Sequence, residues 1–189
     1  LPASGTVPSC AAQCSRQDHQ ETAINPSSLP CPPATRPVAN VGMLVGRSAR
    51  AHGRRIAVRS PTRTLSYAEL EQRSNRLANA LLGLGLTRGD RVGIYLPNCA
   101  EIVEIEVACY KAALVKAPFN SRLSPAEVGE IAANSEASIV VTTRERADAF
   151  RPHIRGEMPR LLLLDGDAAT GYEAELARAS DAFTPAAVH

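Results

Sequence analysis

Large apolar residues recur at helical spacing from Leu70, through Leu77 and Leu81 to Leu84, with polar residues between them. The run is introduced by Ser66-Tyr-Ala-Glu69, a capping box. In such a box the serine accepts from the glutamate amide, and the glutamate side chain reaches back to the serine amide. Leu65 and Leu70 hold the two positions of a hydrophobic staple. Glu69 and Arg73 stand one turn apart and are expected to pair on the wet side of the helix. Gly83 and Gly85 then end it.

Around this helix the pattern alternates between strands and helices from Val38 onward. Ile56 to Arg59 and Thr64 to Ser66 form an expected hairpin about Ser60-Pro61-Thr62. Arg91 to Leu96 is a strand that Pro97-Asn98 turns into a helix, with Asn98 as expected N-cap. Leu114 to Ala117 is the next strand. Ser124-Pro-Ala-Glu127 repeats the capping box, with Pro125 at the first helical position and Leu123 and Val128 as staple. Ser138 to Val141 and Leu161 to Leu164 are short apolar strands, and helices are expected over Arg144 to Ile154 and Tyr172 to Ala179. Strands alternating with helices predict an α/β fold: a parallel sheet with flanking helices and a small N-terminal hairpin.

Residues 1–37 differ. They hold seven of the fourteen prolines and three of the five cysteines, no aromatic residue, and few large apolar ones. Such a segment cannot bury enough surface to offset its chain entropy, so it is expected to be a disordered extension. A linker, a processed leader and a misplaced start all fit it. The folded part is expected to be residues 38–189. The chain begins at Leu1 rather than Met, which is compatible with a start further upstream.

Composition narrows the functional classes. The chain has 189 residues, enough for one domain with a real core, and is 44% apolar and 21% charged. A net charge of +2 without a dense basic patch gives no case for nucleic acid. No run is long and apolar enough for a transmembrane helix. Five cysteines at irregular spacing favour a reducing compartment over a disulfide framework, so the cytoplasm is expected.

Each candidate for chemistry has a plainer explanation. Gly83-Leu-Gly-Leu-Thr-Arg-Gly89 invites a nucleotide-loop reading, but these glycines follow a helix and precede a strand, the reverse of a dinucleotide fingerprint. Lys111 and Lys116 are the two lysines, and neither follows a glycine-rich loop, so a solvated surface role is expected for both. Cys10, Cys14, His19 and Cys31 could ligate zinc, but their spacing is poor for a structural site. Cys99 and Cys109 flank a helix and read as small packing residues. His52, His153 and His189 have no recognisable nucleophile partner and read as surface residues.

Six segments in order, Leu65-Ser-Tyr-Ala-Glu-Leu70, Leu77-Ala-Asn-Ala-Leu81, Arg88-Gly-Asp-Arg-Val-Gly93, Leu96-Pro-Asn98, Pro118-Phe-Asn-Ser-Arg-Leu123 and Asn134-Ser-Glu-Ala-Ser138, carry a family resemblance. With these spacings the chain resembles the N-terminal region of the AMP-forming acyl-CoA synthetase and adenylate-forming ligase superfamily. The resemblance implies part of that family's large N-terminal domain. It also implies, for the full-length enzyme, a carboxylic acid (fatty acid-like) substrate, ATP, Mg2+ and coenzyme A. The family's Ser/Thr/Gly-rich phosphate loop, aromatic-Gly-x-Thr-Glu motif, ribose-binding Asp and catalytic Lys have no counterpart in residues 1–189. No catalytic, cofactor-binding or metal-binding residue is therefore carried over. Ala112-Ala113 departs from the Ala-Gly usual in the family, and its extra methyl group is expected to be tolerated. Two readings stand: an N-terminal fragment of an AMP-forming acid–CoA ligase that is inactive alone, or a stand-alone non-catalytic α/β interaction module derived from that family.

Overall fold

The structure, a computed structural model, describes residues 40–185. The expectations for residues 1–37, for a zinc site at Cys10, Cys14, His19 and Cys31, and for His189 lie outside the described residues.

The order is α1 (Met43–His52), β1 (Ile56–Arg59), β2 (Thr64–Ser66), α2 (Tyr67–Gly83), β3 (Arg91–Ile94), α3 (Ala100–Ala112), β4 (Val115–Pro118), α4 (Pro125–Asn134), β5 (Ile139–Thr142), α5 (Arg144–Phe150), β6 (Arg160–Leu163) and α6 (Tyr172–Arg178). A short 3-10 turn, Arg151–His153, follows α5. β1 and β2 pair antiparallel, as the turn residues predict. The other four strands form a parallel sheet in the order β4-β3-β5-β6.

Strand pleating sends alternate side chains to opposite faces, and both faces are covered. Val92, Ile94, Ile139, Val141 and Leu162 point into a core with Leu77 and Leu81 of α2, Ile105 and Ala108 of α3, and Tyr172 and Leu176 of α6. Val140, with the partly buried Leu161 and Leu163, faces the other core, beside Val128 of α4 and Phe150 of α5. This is why β5 reads as an unbroken apolar run: all four of its residues are buried. Burying each large aliphatic side chain contributes about 1.5–3 kcal/mol. Gly93 is fixed by packing, since a Cβ there would lie 2.9 Å from both Phe119 Cζ and Val140 Cγ2.

Both capping boxes form. Ser66 accepts from the Glu69 amide and Ser124 from the Glu127 amide, with each glutamate reaching back to its serine. α2 ends with the Leu86 amide bonded to Leu81 O and the Gly85 amide to Leu82 O, with Gly85 left-handed at φ 94. That pair of bonds returns Leu86 to the core. α3 ends the same way, with the Leu114 amide on Cys109 O and the Ala113 amide on Tyr110 O.

One expectation holds with a qualification, and three need correction. Residue 113 is the left-handed one at the end of α3, with φ 55. The fold accommodates its methyl group, but in a backbone region that disfavours a Cβ. The cap of α3 is Cys99 rather than Asn98, and its side chain makes no capping bond. The turn runs one residue further than Pro97-Asn98, leaving Asn98 exposed. Glu69 does not pair with Arg73: its carboxylate is used by Ser66, while Arg73 turns to Glu104 and Glu173. The helix expected from Arg144 to Ile154 gives way to the 3-10 turn at Arg151, where Pro152 cannot donate an amide.

Ser66→Ala and Ser124→Ala should each lower stability by about 1 kcal/mol in urea melts, the usual cost of losing an N-cap. Ala113→Gly should do the opposite and raise the melting midpoint by the equivalent of about 1 kcal/mol, because glycine adopts the left-handed conformation without a Cβ penalty.

Candidate functional site

In open parallel α/β sheets, ligands bind beyond the carboxyl ends of the strands, where successive connections depart to opposite sides. Here that point lies between β3 and β5: β4 adds on one side of β3, and β5 on the other. The residues that frame it are held by the ends of the strands. The Tyr95 amide donates to Val141 O, and Thr142 Oγ1 donates to Tyr95 O at 3.0 Å. The Phe119 amide donates to Ile94 O. Tyr95 meets Phe150 edge to face at 5.9 Å, and the Arg146 guanidinium lies 4.7 Å over the Tyr95 ring. Arg146 also donates to Ser121 O, and the Arg144 amide to Asp165 Oδ1. These contacts tie the loops after β3, β4, β5 and β6 into one frame, and in it the Thr142 hydroxyl and Arg146 guanidinium are engaged by neighbouring protein groups.

Two charged clusters lie on the α2–α3 side. Lys111 was expected in solvent, but its side chain is 1% exposed. Its ammonium donates to Glu71 Oε2 at 2.7 Å, Ser74 Oγ at 2.8 Å and Asn75 Oδ1 at 2.6 Å. Three donors meet three good acceptors, which is how a buried ammonium becomes tolerable. Burial lowers its pKa, with Glu71 opposing that shift. Asn40 Nδ2 contacts Lys111 O at 3.4 Å, and a Cβ at Gly42 would lie 2.6 Å from Lys111 Cγ. Lys116, partly exposed, pairs with Glu106 at 2.6 Å and lies over the Tyr110 ring.

The second cluster centres on Glu104, whose side chain is fully buried. Arg73 grips it through two hydrogen bonds, Nε to Oε1 at 2.7 Å and Nη2 to Oε2 at 3.0 Å. Tyr172 donates its hydroxyl to Glu104 Oε2 at 2.8 Å. The same arginine reaches Glu173 at 2.7 Å, and Arg63 from the hairpin turn lies 3.2 Å from Glu173 and 3.5 Å from Glu101. Burial pulls the pKa of Arg73 down, but its hydrogen bonds to Glu173 and Glu104 outweigh that and raise it above the ordinary value. Burial raises the Tyr172 phenol well above its ordinary value, with the Glu104 charge adding to it. Arg63, Arg73 and Glu173 line part of an open cleft of about 480 Å³ between α2, the hairpin and α6.

The remaining candidates fall outside both clusters. Burial pushes the Cys99 thiol up to about 11 and the Cys109 thiol up to about 12, which suppresses the reactive thiolate at neutral pH. His52 and His153 are exposed. Gly83 is the last residue of α2, and Gly85 and Gly89 lie in the connection to β3, where both take positive φ. Among the described residues no group of three His, Cys, Asp or Glu side chains could hold a metal ion. No helix there is long and apolar enough to cross a membrane. Both lysines are paired with carboxylates, Lys111 with Glu71 and Lys116 with Glu106.

The fold is that of an open α/β protein, with a four-stranded parallel sheet between two apolar cores. The model of the AMP-binding enzyme family matches residues 45–188, and the chain belongs to that family. It is 37% identical over 123 residues to a feruloyl-CoA synthase of Amycolatopsis sp, a match covering 65% of this chain and 25% of the relative. Among solved structures it resembles a benzoate CoA ligase from Burkholderia xenovorans, with a TM-score of 0.72 at 20% identity over 80% of this chain and 31% of that one. It also resembles the N-terminal domain of FACL13 from Mycobacterium tuberculosis, with a TM-score of 0.68 at 25% identity over 78% of this chain and 37% of that one. The chain thus spans about a quarter of the length of the first curated relative.

Glu104→Ala should cost about 3 kcal/mol or prevent folding, because it leaves the buried Tyr172 hydroxyl without its acceptor and takes from Arg73 one of its two carboxylates. Glu106→Ala, which breaks the half-exposed pair with Lys116, should change stability by less than about 1 kcal/mol in the same urea melts.

Proposed function

We propose that residues 38–189 are the N-terminal part of the large domain of an AMP-forming carboxylic acid–CoA ligase. In the whole enzyme ATP, magnesium, a carboxylic acid and coenzyme A are used, and the acid is activated as its acyl-adenylate before transfer to the thiol. The observation that carries this reading is the family match over residues 45–188, together with relatives whose names describe acid–CoA ligases. The role of this part is scaffolding: it supplies a sheet, covered on both faces, whose strand-end loops border the ligand-binding edge. Residues 1–189 carry no catalytic side chain in this reading, and residues 1–37 are an extension outside the catalytic fold. The free thiols of Cys99 and Cys109 support a reducing compartment, the cytoplasm.

Catalysis of adenylate formation needs donors placed around the phosphates where charge develops. Removing one such donor costs about 3 kcal/mol, roughly a hundredfold in rate. Purified 1–189 should therefore show no carboxylate-dependent exchange between pyrophosphate and ATP with short, medium, long or aromatic acids. It should also give no heat of ATP–magnesium binding in calorimetry. Exchange well above a host-ligase blank would overturn the proposal that this part is catalytically silent.

A further inference from the structure

α6 has seven residues, well short of the ~12–15 that an isolated helix needs to persist in water, and Gly171 gives it no side-chain cap. Its helical form therefore depends on docking. The apolar part of that docking rests on few residues: Tyr172 and Leu176 are buried in the core, with Phe183 partly buried beside it.

The rest is polar and comes largely from one face of α2. Gln72 Nε2 donates to Asp181 Oδ2 at 2.9 Å, and Asn75 Nδ2 to Asp181 O at 2.8 Å. Asn79 Nδ2 donates to Ser180 O at 2.7 Å and to Ala182 O at 3.0 Å. Arg73 holds Glu173, and Arg76 lies 3.7 Å from Asp181. Positions 72, 75, 76 and 79 share one side of a helix, so this polar stripe is a docking seat rather than a solvated face.

We propose that residues 172–183 form a detachable strap, which leaves the α2–α3 face as a unit and ahead of the sheet when its carboxylates are protonated. The charged and titratable groups facing it are Arg63 from the hairpin turn, Glu69, Glu71, Arg73 and Arg76 from α2, and Glu101 and Glu104 from α3. The strap itself brings Tyr172, Glu173, Glu175, Arg178 and Asp181. The hydrogen bond from Arg73 lowers the Glu173 pKa, and the hydrogen bond from Gln72 lowers that of Asp181, with the Arg76 charge adding to it. A carboxylate whose pKa is depressed by folding stabilises the docked state fully above its unfolded value. That contribution is lost as pH falls through the folded one. Acid therefore removes the attraction while Arg63, Arg73 and Arg76 keep their charge. Opening would take Tyr172 and Leu176 out of the core and widen the cleft beside Leu65.

Hydrogen exchange on the full chain, with rates corrected for intrinsic exchange, tests this. Between about pH 6 and about pH 2.5, a window that runs from above the ordinary carboxylate values to below them, protection of the α6 amides should fall at least about tenfold while β5 stays protected. In the double variant Glu173→Gln, Asp181→Asn, α6 should already be loosened at neutral pH and respond less to acid. Loss of protection in α6 and β5 together, or α6 protection that ignores pH, would overturn the proposal. Should the double variant not fold, the pH series on the unaltered chain decides by the same two outcomes.

Discussion

A carboxylate with no exposed surface governs how one side of this molecule is assembled. Glu104 can remain in the core only while Arg73 and Tyr172 satisfy its oxygens, and those partners come from two other helices. The cost of burying the charge thereby becomes a geometric requirement: α2, α3 and α6 must meet at one point. Apolar packing around Leu77, Ile105 and Leu176 tolerates small slides, whereas a bidentate arginine grip does not. Lys111 repeats the logic a short distance away, joining α3 to α2 through Glu71, Ser74 and Asn75.

What was legible in the sequence follows the range of the interaction involved. Both capping boxes lie within four consecutive residues, and both formed with the predicted partners. The hairpin and the four parallel strands were also legible, because β-branched and leucine runs bounded by turns can hardly be placed elsewhere. The buried charges were not. A lysine or arginine on a helix looks the same whether it faces water or a partner thirty or a hundred residues away, as Arg73 does with Glu104 and Glu173. α1 was missed for a related reason: Met43 and Leu44 are exposed, and the helix approaches Glu71 through Gly46 instead of an apolar stripe.

The family resemblance rests on the same local devices. Its motifs are a capped helix packed against one face of the sheet, and a strand-to-helix turn and a Pro-containing loop that carry Tyr95 and Phe119.

The strand order β4-β3-β5-β6 has a consequence for how the chain is made. β3 leaves the ribosome before any strand it pairs with, β4 and β5 each add to it in turn, and β6 adds to β5. Every parallel pairing in the sheet can therefore close as soon as its own strand has emerged, and none waits for a later one. Growth from a centre outward shortens the time during which apolar strands are left unpaired during translation, the interval in which nascent chains are most exposed to misassociation.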